Sequence, residues 1–220
     1  MLFDRIKELQ KKGFTPDIIF DIGAHHGNWT KSIYSIFPSA RYLLFEAIEY
    51  KELESLKSIP NINVFTICLN ETNKEIDWYE MKNTGDSMFK EKTHHFNTCN
   101  PIKKESFAID YILQLPQDIH SVFIKIDCQG AELPILKGAT KILEKTDFVL
   151  LELPFFGQYN EGVPNFLEHI HYMDSIGFIP YDILEWHYMH GFLVQVDFMF
   201  IKKTHPFTHT IQQNLRSTGV

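Results

Sequence analysis

Short apolar runs alternate with amphipathic stretches along most of this chain, and that rhythm sets its architecture. Residues 17–22, 41–45, 62–69, 121–127 and 148–151 read as strands, each a run of apolar or β-branched residues bounded by turn signals. Between them, apolar positions return at helical spacing. Trp29, Ile33, Ile36 and Phe37 form one such face, stopped by Pro38. Tyr50, Leu53 and Leu56 form another, bounded by Pro60. Leu133, Leu136, Ile142 and Leu143 predict one helix over 132–145, with Pro134 in its first turn. Leu2, Ile6 and Leu9 predict a helix within residues 1–16, and Phe166, Ile170 and Met173 another over 165–176, closed by Gly177. Strands alternating with helices predict an α/β, Rossmann-like, mostly parallel sheet with helices on both faces. Residues 178–184 and 192–202 close it as a C-terminal antiparallel hairpin.

The rhythm breaks between the third and fourth strands. Residues 75–81 alternate like an edge strand, Asn83-Thr84-Gly85-Asp86-Ser87 is turn chemistry, and 88–104 are polar and lysine-rich. Residues 71–110 are therefore expected to be an irregular insertion, a lid or an exposed loop. The 220 residues fit one domain spanning 1–220, and 44% apolar content is enough for a core.

A net charge of −7 with no basic run disfavours a nucleic-acid substrate. Cys68, Cys99 and Cys128 have no short spacing and read as reduced thiols of a cytoplasmic protein. The N-terminus lacks the apolar core of a signal peptide, and no run reaches the ~18 apolar residues of a membrane span.

The informative chemistry lies at strand ends. Ile18-Ile19-Phe20-Asp21-Ile22-Gly23-Ala24-His25-His26-Gly27 is an apolar strand, an acid and a tight D-x-G-x-x-x-G turn before a helix. A dinucleotide fingerprint requires Gly where His25 stands, so that a pyrophosphate can approach the helix N-terminus. An acid at the turn suits ammonium and hydroxyl groups better than phosphates. Glu46 ends the second strand, where a carboxylate can accept both hydroxyls of a ribose. Asp127 ends the fourth strand before Gly130. Three acids thus sit at the carboxyl ends of three parallel strands, where open α/β sheets bind ligands. S-adenosylmethionine, cationic and free of phosphate, fits that pattern.

Together the Asp21–Gly27 turn, Phe45-Glu46, Lys125-Ile126-Asp127-Cys128-Gln129-Gly130-Ala131-Glu132 and Leu136-Lys137-Gly138-Ala139 resemble the FkbM family of S-adenosylmethionine-dependent methyltransferases. Asn83-Thr84-Gly85, Gly177-Phe178 and the 194–200 strand are similar to that family's connecting loop and C-terminal hairpin. The resemblance implies a class I methyltransferase sheet of seven strands with the last reversed, and O-methylation of a hydroxyl on a small molecule such as a sugar or secondary metabolite. It also implies that Gly23, Ala24, Gly27 and Thr30 bound the methionine half of the cofactor and Glu46 its ribose, with Asn70 beside the adenine. Asp127 is expected at the ammonium group or at the acceptor. His25 and His26 depart from the Asn and small aliphatic residue that family members often carry there.

Methyl transfer to an alcohol needs a base and in-line placement. The candidate bases are His25, Asp127 and Glu152, the last at the end of the fifth strand. An acid at Glu132 fits the dipole of the helix it opens. Asp127 and Glu152 could serve a divalent ion that acidifies the hydroxyl, but no histidine pair has zinc-type spacing, and no metal is assigned. Trp186, His187 and Tyr188 would either stack on a sugar or pack as a turn, and exposed Phe155 and Phe156 would suit a homodimer or partner surface. Two other functions stand beside methyl transfer: a nicotinamide-dependent oxidoreductase, and a non-catalytic cofactor-binding domain acting through a protein partner.

Overall fold

The computed structural model describes residues 2–156 and 160–217. Its strands are β1 (Ile18–Ile22), β2 (Arg41–Glu46), β3 (Ile62–Thr66), β4 (Cys68–Leu69), β5 (Lys74–Trp78), β6 (Ile102–Phe107), β7 (Val122–Ile126), β8 (Thr146–Pro154), β9 (Phe178–Met189) and β10 (Phe192–Lys202). The helices are α1 (Leu2–Lys11), α2 (Asn28–Tyr34), α3 (Lys51–Leu56), α4 (Ile109–Ile112), α5 (Glu132–Lys137), α6 (Thr140–Glu144), α7 (Phe166–Ser175) and α8 (Pro206–Ser217). Seven strands form the main sheet in the order β3-β2-β1-β7-β8-β10-β9. Pairing is parallel from β3 to β8; β10 runs antiparallel to both β8 and β9. No described helix is long and apolar enough to cross a membrane.

Period-two alternation along the strands divides the core between the two faces of this sheet. Phe20, Ile22, Phe45, Ile124, Ile126 and Leu151 face one way, packing under α5, α6 and α7. Ile19, Tyr42, Leu44, Phe123, Phe148 and Leu150 face the other, covered by α1, α2 and α3. All five residues of β1 and of β7 are buried, as central parallel strands require. Strand order reverses between β1 and β7, so a crevice opens beyond their carboxyl ends.

Several elements differ from the sequence reading. The third strand does not run unbroken over 62–69. It breaks at Ile67, whose N–H donates to the Glu46 carbonyl (2.8 Å), and Cys68–Leu69 joins a second sheet of order β4-β6-β5. Within the 71–110 segment the edge strand expected over 75–81 is present as β5; what the sequence reading lacked is β6, which pairs antiparallel with it, so the irregular part is the middle, residues 79–101, with isolated bridges. The helix expected over 132–145 is two helices, broken at Gly138 and Ala139. A side chain at Gly138 would meet the Asn70 carbonyl oxygen at 2.3 Å, so the main chain approaches the 70–71 turn too closely for anything larger. The closing hairpin is longer than expected, with β9 continuing to Met189.

Candidate active site

Two strand-end turns build the site. After β1, Gly23 takes φ +74°, and an added Cβ would lie 1.9 Å from the Asp127 carbonyl oxygen. Only glycine lets the β1 turn close against the β7 turn. His25 follows at φ 48°, and Gln129 holds φ 51° in the β7 turn. Left-handed backbone at non-glycine residues carries strain and collects at ligand sites. A loop from the 71–110 segment clamps the second turn. Ser87 is buried, its hydroxyl donates to the Gln129 carbonyl (2.9 Å), and the Phe89 N–H donates back to that hydroxyl (3.1 Å).

These turns, the 83–95 loop and the tip of the β9–β10 hairpin enclose a cavity of about 720 Å³. Five carboxylates line it, Glu46, Asp86, Glu91, Asp127 and Glu152, and among the described residues no lysine or arginine does. Ile48, Ile67, Leu69, Met88 and Ile135 supply apolar wall. That donor set fits a cationic, partly apolar nucleoside ligand and repels a pyrophosphate.

Glu46 sits on the β2 side. Its two oxygens accept the His25 N–H (2.7 Å) and the Ile48 N–H (3.1 Å), which fix the carboxylate facing the cavity. Burial raises its pKa, and those backbone donors oppose the rise. Three strand spacings away, about 14 Å, Glu152 ends the opposite half of the cavity. The Gln129 amide bridges the two acids there, donating to Glu152 (2.9 Å) and more weakly to Asp127 (3.3 Å). Gln195 also donates to Glu152 (3.1 Å). Burial, with Asp127, Glu132 and Asp197 nearby, holds the Glu152 carboxyl well above the usual carboxylate range.

A family model for the methyltransferase FkbM domain matches residues 21–180. The chain belongs to the FkbM methyltransferase family. The matched region is a methyltransferase FkbM domain, on a class I methyltransferase fold. No curated protein matches by sequence. Among solved structures, an FkbM methyltransferase from Methylobacillus flagellatus KT aligns at TM-score 0.53 and 16% identity, over 85% of this chain. This chain spans only 43% of that protein. A 1,6-didemethyltoxoflavin-N1-methyltransferase from Burkholderia thailandensis, solved with 1,6-didemethyltoxoflavin and S-adenosylhomocysteine, aligns at TM-score 0.52 and 10% identity. That alignment covers 91% of this chain and 78% of the other, and at such identity it shows the fold.

The FkbM domain brings together only part of the residue set read from its sequence. Gly23, His25, Glu46, Asp127 and Glu152 line the cavity. Asp21 does not: it is wholly buried, accepts from the Thr30 hydroxyl (2.6 Å) and pairs with Lys125 (3.2 Å). Thr30 is equally buried, and the pair joins β1 to α2 without lining the cavity. Ala24 and Gly27 lie behind the wall, with Gly27 as the left-handed N-cap of α2. Asn70 is also buried off the cavity; its amide donates to the Ser106 hydroxyl (3.1 Å) and its oxygen accepts from the Glu71 N–H (2.8 Å).

His25 lies with Glu46 rather than with Glu152, its ring against Tyr50 (4.8 Å) and His26 (3.9 Å). Burial, then His26, lowers its pKa. Glu132 opens α5, as expected. It is fully buried, one oxygen accepts the Cys128 N–H (2.8 Å), the other has no partner, and burial pushes its carboxyl up to about 7.

Several lining residues carried no sequence signal. For Gln129, which lies inside the Lys125–Glu132 stretch, what the sequence did not reveal is its left-handed φ. Gln195, His94 and His95 reach the wall through loop and hairpin geometry that periodicity does not encode.

Proposed function

We propose that the FkbM domain transfers a methyl group from S-adenosylmethionine to a hydroxyl of a small molecule, a sugar or secondary metabolite bearing a ring. The observation that carries this reading is the division of one cavity into two ends: Glu46 with its fixed carboxylate on the β2 side, and the Asp127–Gln129–Glu152 group on the β8 side. In this reading Glu46 accepts the ribose hydroxyls, and Gly23 and His25 border the amino-acid portion. The cofactor, when bound, supplies a methyl carbon on a cationic sulfur. The chain's own residues do the rest: they hold the acceptor oxygen in line, exclude water, and take its proton on the Asp127–Glu152 pair. His25 sits on the cofactor side and is the weaker candidate for the base. Exposed Trp186, Tyr188 and Phe192 near the hairpin tip, with Phe156 stacked on Phe192 (5.3 Å), lie outside the cavity wall and would meet an acceptor only where it extends beyond the cavity. Phe155 and Phe156 would equally serve a dimer contact. The free thiols of Cys68, Cys99 and Cys128 fit a cytoplasmic enzyme.

Titration calorimetry with S-adenosylmethionine tests the first half. Folded protein giving no heat at millimolar cofactor overturns the reading. Glu46→Ala is expected to weaken binding at least about tenfold, by loss of a charge-assisted hydrogen bond pair. Glu152→Gln should retain cofactor affinity while lowering kcat by about 10²–10⁴, the range for loss of a general base. Asp127→Asn separates that residue's two candidate roles: a weaker Kd puts it at the ammonium, a lower kcat at the acceptor. Mass spectrometry of a sugar and metabolite panel with isotopically labelled cofactor identifies the acceptor. Cofactor binding without transfer to any acceptor would favour a non-catalytic domain working through a protein partner.

A further inference from the structure

Three adjacent strands, β8, β10 and β9, carry a second cluster beside the cavity. In the cross-strand register Asp197 stands directly opposite Glu152 on one side and Glu185 on the other. His187 stands opposite Gln195, two residues from Asp197, so Glu152, Asp197, Gln195 and His187 share one face. Among the described residues, no lysine or arginine forms an ion pair with Glu152, Glu185 or Asp197. Like charges directly opposite one another destabilise a sheet, and His187, beside Asp197, is the one basic side chain among the described residues that pairs with this row.

The geometry offers a place for a cation. Ligand atoms of Glu152, His187 and Asp197 all lie within 4.8 Å of one another. His187 Nε2 is 3.8 Å from Asp197 Oδ1, too long for a hydrogen bond and close to the spacing of two atoms that share one ion, about 3–3.5 Å at bonds of ~2.1 Å. The two glutamines both donate to the same Glu152 oxygen, Oε2, so Oε1 is not taken by them. A nitrogen and two carboxylate oxygens form a mixed set that suits divalent ions of the manganese-to-zinc range.

We propose that Glu152, His187 and Asp197 hold a divalent transition-metal ion, completed by water, beside the cavity where Glu152 reaches its wall. The ion neutralises the acidic row. Resting on the methyl-transfer reading above, it would also bind the acceptor hydroxyl and ease loss of its proton. The oxygen–carbon bond then forms as the carbon–sulfur bond breaks, its electron pair passing to sulfur and the hydroxyl proton leaving to Asp127 or to solvent, since Glu152 is held by the ion.

Manganese chloride is the probe, with the full chain and no methyl acceptor. One ion per chain is expected by calorimetry, and pulsed electron paramagnetic resonance should show nitrogen coupling from one imidazole. His187→Ala should abolish that coupling and raise Kd at least about tenfold; Asp197→Asn should raise Kd similarly. Asp118→Asn, which alters an exposed carboxylate away from both the cluster and the cavity, should leave binding unchanged. Circular dichroism establishes that each variant is folded, and His187→Gln replaces His187→Ala if the latter is not. No binding by folded wild type at millimolar manganese overturns the site, as does binding that both variants preserve. Because this measurement needs no methyl transfer, an ion-binding protein that methylates nothing would refute the proposed reaction and leave the metal site standing.

Discussion

At the scale of single residues, two acids with the same sequence signature have opposite fates. Asp21 and Glu46 each close an apolar run, yet Glu46 is the last residue of β2, whereas Asp21 precedes Ile22 inside a strand buried along its whole length. Its side chain falls on the α2 face and meets Thr30. It also sits opposite Lys125 in the β1–β7 register. Lys125 is the counter-charge that makes this burial tolerable: it pairs with Asp21 (3.2 Å), donates to the Gly23 carbonyl (2.9 Å) and reaches Asp127 (3.5 Å). Those acids hold its pKa above the ordinary lysine value against a strong opposing effect of burial. Lys125→Met should cost about 3–5 kcal/mol in urea unfolding, because it leaves a buried carboxylate without a partner. The double variant Lys125→Met with Asp21→Asn should recover most of that loss; no recovery would mean the cost is packing.

Glu132 supplies a pH test. Its folded pKa is about 7, against 4.5 as the ordinary value. Above pH 4.5 the unfolded chain gives up this proton while the folded chain keeps it, so stability falls as pH rises through that window and levels off above pH 7. The full effect is about 3 kcal/mol. Glu132→Gln removes the titration, so its stability relative to wild type should climb between pH 4.5 and 7 and then hold. Parallel unfolding profiles for the two proteins would refute this.

At the scale of elements, β1, β2 and β7 and the closing hairpin were legible because period two and period 3.6 are local properties of a sequence. The misses come from long-range contact. The break after Ile67 depends on Cys68–Leu69 pairing with β6, and the break at Gly138 on the approach of the 70–71 turn. The alternation at 75–81 marks β5, but not its partner: β6 lies beyond a long polar stretch, and its pairing is non-local. Likewise the Glu152–His187–Asp197 cluster draws on three strands, so no spacing rule reveals it. The strand-end glycines were legible, and their different surroundings separate their roles. Gly23→Ala would drive a Cβ into main chain at 1.9 Å, whereas Gly27→Ala would meet the flexible end of Leu56 at 2.5 Å. Both positions have positive φ, which alone costs about 1–3 kcal/mol for a non-glycine residue. Only Gly23→Ala must also part the β1 and β7 turns. Its S-adenosylmethionine affinity, measured by calorimetry, should fall well below that of Gly27→Ala at comparable losses of Tm.

At the scale of the whole molecule, charge decides between the two cofactors that this fold could hold. The chain carries a net charge of −7, and the cavity concentrates carboxylates without a lysine or arginine on its wall among the described residues. The wall is partly apolar and recessed at the strand ends, so these charges are less screened than surface ones. S-adenosylmethionine brings a sulfonium and an ammonium to such a wall, whereas NADH brings a pyrophosphate that would need a glycine-lined helix N-terminus. The α2 N-terminus is closed to that use, because His25 and His26 stand in its approach and Glu46 already accepts the His25 N–H. NADH at millimolar concentration is therefore expected neither to gain fluorescence with the protein nor to displace labelled S-adenosylmethionine. Displacement that saturates would return the oxidoreductase reading to contention and show that the acids of the cavity, Glu46 first among them, are neutralised by protons rather than facing the ligand as anions.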